Sequence, residues 1–158
     1  MLTWSEFAAD ERELAASGRS LLYQFGGVGL AFLGTVRTDG GPRIHPMCPV
    51  LSGDGLYAFL IPSPKRKDLH RDPRYAMHCF PAEDNEDAFY VTGEARLVTD
   101  RGIRDAAAAV FLAERSWSEP PPGFDDQEVF EFLIERALLT KTTGHGDPDP
   151  RHQVWSET

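Results

Sequence analysis

Lysine is scarce in this chain. There are three among 158 residues, Lys65, Lys67 and Lys141, and with 16 basic against 25 acidic side chains the formal net charge is −9. An acidic surface of this kind excludes general affinity for nucleic acid, which needs many phosphate contacts. Cysteine is also scarce. Cys48 and Cys79 are too few for a disulfide framework, and both sit in apolar contexts, which points to two reduced, buried thiols. Long apolar runs are missing: none approaches the roughly 20 residues of a membrane span. The opening "MLTWSEFAADERELAASGR" is acidic and carries no apolar stretch of the signal-peptide kind, so a cytoplasmic location is expected. No internal repeat or low-complexity segment stands out. The length and the 41% hydrophobic content fit one globular domain spanning 1–158.

The periodicity divides the chain. Residues 1–27 read as a helical segment. Thr3 and Glu6 have capping-box spacing, a first helix ends near Gly18, and a second piece runs from Arg19 to Phe25 until Gly26-Gly27 breaks it. The pattern then changes to strands. "VGLAFLGTVR" (28–37) places Val28, Leu30, Phe32 and Val36 on one face. "TDGG" is a hairpin turn, and "PRIHPMCPVL" (42–51) is a second strand. Its Pro46 and Pro49 confine it to a sheet edge or make it irregular. A buried third strand covers 56–61, a fourth 74–80, and a fifth 88–98 with a bulge at Gly93. A helix is expected over 100–115. Segment 128–141 suits either class, but the alternation of Phe130, Phe132 and Ile134 favours a strand. Residues 142–158 read as an extended tail. The whole predicts a mainly β (α+β) fold: a small six-stranded antiparallel split or closed barrel with helices at its margin.

The scarce lysines are not spread out. "SPKRKDLHRDPRYAM" (63–77) holds two of the three, with Arg66 between them and Arg71 and Arg74 downstream. Ser63-Pro64 is a strong helix start, with Ser at the cap and Pro at the first helical position. Lys65, Arg66 and Lys67 therefore fall in the first turn. That is the wrong end for cations, because the helix dipole disfavours each there by roughly 0.3–1 kcal/mol. A bound anion resolves the conflict. Hydrogen bonds to a charged group contribute roughly 1.5–3 kcal/mol each, so a few outweigh the dipole cost. A solvated charged face is the alternative. A phosphate site at the end of a buried strand suits a phosphorylated cofactor, and the proline-interrupted "PRIHPM" strand offers a flat neighbouring surface with free backbone groups.

The ordered set Asp39-Gly40, Arg43, Pro46, Ser63, Lys65, Lys67, Leu69 and Asp72-Pro73-Arg74 resembles the pyridoxamine 5′-phosphate oxidase-like, FMN-binding split-barrel superfamily over roughly Gly29 to Val98. The resemblance implies a homodimer with a flavin or related cofactor at its interface. Carried over by position, Arg43, Ile44, His45 and Pro46 line the isoalloxazine, while Ile61, Ser63, Lys65 and Arg66 or Lys67 hold ribityl and phosphate. Trp155 lies in a C-terminal segment that reaches the cofactor in relatives. The classical oxidase has Arg where this chain has Pro64. Its C-terminal Arg-, Trp- and His-rich block, which binds pyridoxal phosphate, is not reproduced by "HGDPDPRHQVWSET". The implied function is thus FMN-dependent oxidoreduction of a small molecule other than pyridoxamine phosphate. The alternatives are F420-dependent reduction, flavin or haem binding without turnover, or an interaction domain that has lost the cofactor. A haem would need an axial ligand, for which His145 or His152 is available. The histidines have no tight metal-ligand spacing, so no metal is expected.

Overall fold

The computed structural model describes residues 1–157. Helix α1 (Trp4–Asp10) starts on the expected capping box: the Glu6 N–H reaches Thr3 Oγ1 at 3.4 Å, and the Thr3 N–H reaches Glu6 Oε2 at 2.8 Å. The break before α2 (Arg12–Leu22) comes at Glu11, not at Gly18. Gly18 lies inside α2, where a Cβ would stand 2.5 Å from the Phe89 ring. The missing side chain lets α2 lie directly on the sheet, so this glycine marks a close approach and not an end.

Eight strands follow: β1 (Ala31–Val36), β2 (Pro42–Met47), β3 (Val50–Ser52), β4 (Gly55–Leu60), β5 (Arg74–Cys79), β6 (Ala88–Leu97), β7 (Glu128–Lys141) and β8 (Arg151–Ser156). Helix α3 (Pro64–Arg71) joins β4 to β5, and α4 (Arg101–Glu114) leads from β6 to β7. The strands are antiparallel, in the order β2-β1-β5-β6-β7-β4-β3, with β8 added to β7. The sheet curls into a split barrel around Leu33, Met77, Phe89, Phe130, Phe132 and Ile134. The mainly β, split-barrel expectation holds, with eight strands in place of six. One extra strand arises because the expected 42–51 strand breaks at Cys48-Pro49, where Pro49 has no N–H to give a ladder. The other is the tail, whose residues 151–156 pair with 136–141 of β7.

The face assignment of the first strand is also corrected. Ala31, Leu33 and Thr35 point into the barrel, while Phe32 and Val36 lie on the opposite, half-buried face. Both faces of β1 carry apolar residues, so side-chain size alone does not reveal the inner one. Phe32 instead stacks on Phe80 outside the barrel, with ring centroids 4.4 Å apart. The cross-strand register continues this into a row over six strands: Pro46, Phe32, His78, Tyr90, Leu138 and Val154.

Strand β7 is the spine, pairing with β6, β4 and β8. Its inner residues Phe130, Phe132 and Ile134 are fully buried in the barrel. Val129, on the other face, joins Tyr57, Phe59, Ala107 and Phe124 in a smaller core beneath α4. The expected bulge is present: the β6–β7 register shifts between Thr92 and Gly93. A Cβ at Gly93 would lie 1.9 Å from the Leu133 carbonyl oxygen, which is backbone and cannot step aside. Gly93→Ala is therefore expected to cost about 2–3 kcal/mol or more. Urea unfolding should show a lowered midpoint with an unchanged slope.

Candidate functional site

The site assembles where β4 ends and α3 begins. Ser63 occupies the cap position of α3 with extended backbone, but its hydroxyl does not cap the helix. It donates to the Ile61 carbonyl at 2.9 Å. The expectation of a Ser63 side-chain cap is thus corrected, and the helix start keeps its first-turn N–H groups without a side-chain acceptor.

The basic residues of α3 separate by partner. Arg66 is committed to the protein: Nη1 donates to the carbonyls of Asp126 (3.0 Å) and Leu60 (3.4 Å), and Nε lies 3.4 Å from Glu128 Oε2. Arg71 pairs with Asp68, and Arg74 with Asp72. Among the described residues Lys65 and Lys67 have no ion-pair or hydrogen-bond partner for their ammonium groups. Lys67 is exposed, and Lys65 is half-buried. Burial pulls the Lys65 ammonium below the ordinary lysine pKa, with Cys48 acting weakly in the other direction. Cys48, at the β2–β3 break, is therefore a neighbour of the helix tip and is only partly buried, against the expectation of a buried thiol. Cys79 is buried as expected.

The residue that sequence reasoning passed over is Asp68. Its side chain is 5% exposed and accepts from Arg43 Nε (2.7 Å), Thr35 Oγ1 (2.9 Å) and Arg71 Nη1 (3.3 Å). Burial alone would raise its pKa, but these hydrogen bonds outweigh it and hold the carboxyl below the usual range. The available signal was an acidic residue amid a basic helix, one turn beyond Lys65.

The residues expected to line a flavin do not form one surface. Along β2 they alternate, as a strand must. Ile44 and Pro46 share the outer face with Gly34 and Phe32, and Ile44 is 68% exposed. Arg43 and His45 lie on the other face, opposite Thr35 and Leu33, and the Arg43 guanidinium is held by Asp68. Strand β2 is at the sheet edge, as its prolines predicted, so one row of its backbone groups has no strand partner. Ile61 is 54% exposed beside the helix start. Trp155 is not brought to this site. It pairs with Ala137, nine positions along β7 from Glu128, or about 30 Å of strand. Its ring is buried against Phe7 and its Nε1 donates to Asp10 Oδ2 at 2.7 Å. The histidines take ordinary partners: His145 meets the Glu83 carbonyl and His152 the Thr140 hydroxyl, each at 2.9 Å. Among the described residues no cluster of three or more metal-ligating side chains occurs, and no helix is long and apolar enough to cross a membrane.

The profile of the pyridoxamine 5′-phosphate oxidase family matches residues 24–141, three quarters of the chain. The chain belongs to this family. Several solved structures share its fold. A heme binding protein from Mycobacterium smegmatis aligns with a TM-score of 0.63 at 16% identity, covering 89% of this chain and 57% of its own. An F420 reductase gives 0.60 at 22% identity, covering 75% of this chain and 94% of its own. A FAD-binding protein from Mesorhizobium loti gives 0.55 at 24% identity, covering 68% and 82%. No curated protein matches the chain in sequence. At these identities the likeness is one of fold.

Asp68 makes the site testable through acid. Its folded pKa lies below its unfolded one, so the unfolded carboxyl binds protons more readily and acid favours unfolding. Its contribution is complete above about pH 4 and is lost as pH falls through the folded value. Asp68→Asn should cost about 2–4 kcal/mol near pH 7, because it strands Arg43 beside a neutral amide. The gap between variant and parent should narrow steadily in unfolding titrations as pH falls below about 4.

Proposed function

We propose that this protein is an FMN-binding oxidoreductase that works as a homodimer. The observation that carries the reading is Lys65: a half-buried ammonium at an uncapped helix start, with no anionic partner among the described residues. Burial of an unpaired cation is costly, and a terminal phosphate would remove that cost. The backbone N–H groups of the first turn, the Ser63 hydroxyl and the neighbouring Lys67 complete a fitting donor set for such a dianion. Ile61 adjoins it, and Ile44 and Pro46 offer an apolar surface for a flat ring beside the free edge of β2. The flavin, when bound, supplies the electron transfer; the chain supplies position and charge.

FMN is favoured over F420 by charge accounting. The deazaflavin carries a phosphodiester and an acidic tail, which call for unpaired cations beyond the helix tip. Arg37 and Arg74 are each already paired with a carboxylate of the chain, and Arg43 and Arg71 are both engaged by that of Asp68. F420 remains the second reading, because an F420 reductase shares the fold. Haem binding, as in the M. smegmatis relative, would require an axial ligand, and His145 and His152 are hydrogen-bonded to the Glu83 carbonyl and the Thr140 hydroxyl. The burial of Trp155 supports a substrate other than pyridoxamine phosphate, since the tail presents no aromatic block to one.

The dimer reading rests on the outer face of the sheet. Its row from Pro46 to Val154 is apolar or aromatic throughout, with Val154 60% exposed and Ile44 beside it 68% exposed. Ile44 and Pro46 belong to that same face, so a cofactor resting on them would be enclosed by the second subunit.

FMN should quench on titration and bind with one site per chain. Lys65→Met should weaken it about 10- to 100-fold, the equivalent of one charge-assisted hydrogen bond, with stability changed by less than about 1 kcal/mol. Competition against F420 should favour FMN; tighter binding of the deazaflavin reverses the order, and no binding of either removes the reading. Val154→Asp, at an exposed position, should leave the monomer folded while light scattering shows half the mass. FMN affinity should fall with it.

A further inference from the structure

A second cleft lies on the far side of β7, away from the barrel and from α3. Three neighbouring strands place Tyr57, Glu131 and Arg96 side by side on one face, by the registers Tyr57 with Glu131 and Arg96 with Glu131. The first turns of α4 roof this row with Ile103 and Ala106, leaving a cavity of about 350 Å³. At about 30 Å³ per water, that is room for about a dozen waters.

The floor of the cleft is polar and unusually buried. Glu131 has a side chain 5% exposed, yet Arg96 satisfies one of its oxygens alone: Nε (2.7 Å) and Nη2 (2.6 Å) both contact Oε2. Oε1 accepts nothing from the described residues. Tyr57 is 5% exposed and Ser52 8%, and neither hydroxyl has a hydrogen-bond partner among the described residues. These atoms are not sealed in the interior, where they would stand as unsatisfied groups; they open to the cleft. Gly55 makes the arrangement possible. A Cβ there would lie 2.3 Å from the Tyr57 hydroxyl, so the ring folds back over the strand toward Ser52. The Tyr57 phenol is held above its usual pKa by burial and then by Glu131. Asp54 adds a second negative charge at the rim, and among the described lining residues the one cation, Arg96, is 59% exposed and already engaged by Glu131.

A buried carboxylate with a free oxygen, two hydroxyl acceptors, an aromatic face and a short apolar wall are complementary to a small organic cation. We infer that this cleft binds a primary ammonium group on a short aliphatic stem, with Glu131 as counter-ion, Tyr57 and Ser52 as acceptors, and Ile103 and Ala106 against the stem. The site is separate from the proposed flavin site and does not depend on it.

The test is calorimetric titration of the full-length protein with 1,4-diaminobutane near neutral pH. Saturable binding at one site per chain is expected, with no heat of binding from the uncharged 1-butanol. Glu131→Gln should weaken the diamine about tenfold or more. Ile103→Lys, at a position 41% exposed on the rim, places a tethered ammonium in the cleft and should abolish binding without harming the fold. Both variants should bind FMN as the parent does. Absence of saturable binding at about 10 mM diamine, or equal binding by the parent and Ile103→Lys, overturns the inference even if Glu131→Gln fails to fold.

Discussion

The site depends on one buried carboxylate. Asp68 reaches back from α3 into the barrel wall and gathers donors from β1, β2 and its own helix. A buried charge is costly unless its lone pairs are used, and here three donors use them. The result is mechanical as well as energetic. With Asp68 held by Thr35 and Arg43, α3 has a fixed rotation about its axis, one turn from Lys65. The helix tip is thereby aimed by a carboxylate whose oxygens are used within the protein.

The same carboxylate resolves the surplus of bases around α3. Arg43 and Arg71 share the one carboxylate of Asp68, while Arg66 pairs with Glu128 and Arg74 with Asp72. The Asp72 carboxyl, drawn down to about 2 by hydrogen bonds from Arg74, ends α3 and sets the start of β5. What looks in the sequence like a dense basic patch is therefore a set of internal ion pairs around two unpaired lysines. The local field at the helix start is narrower than the composition implies. It suits one compact anion better than an extended polyanion.

Much of the fold was legible because period and punctuation agreed. The capping box, the Asp39-Gly40 turn, the Gly93 bulge and the alternation through Phe130, Phe132 and Ile134 each have a single local cause, and each stands where it was expected. The failures have a different origin. Gly18 was read as a stop because its real role, clearance for Phe89, depends on a residue 71 positions away. The inner face of β1 was misassigned because both faces are apolar and one is reserved for contacts outside the barrel. The tail was read only as extended, because its pairing with β7 is a long-range choice. At the site, the cluster of chemistry was visible from residues 63–67, but not its division into paired and unpaired cations. That division is set by Asp68 within the helix, whose partners Thr35 and Arg43 come from β1 and β2, and by Asp126 and Glu128, which meet the helix only after folding.

Strand β7 then separates what the molecule does on each side. Its residues alternate between the barrel core and the small core beneath α4, so a change on one face reaches the other only through the backbone. The outer face of β1, β2, β5 and β6 adds a third surface, where Ile44 and Pro46 adjoin the apolar row. A flat ring seated there would cover exposed apolar area on one subunit and present its second face to the other. Cofactor and subunit would then bury one another's surface, and neither interface would be complete alone. In a chain this short, such a coupling would account for the large apolar residues, Ile44 and Val154 among them, that stand outside the barrel.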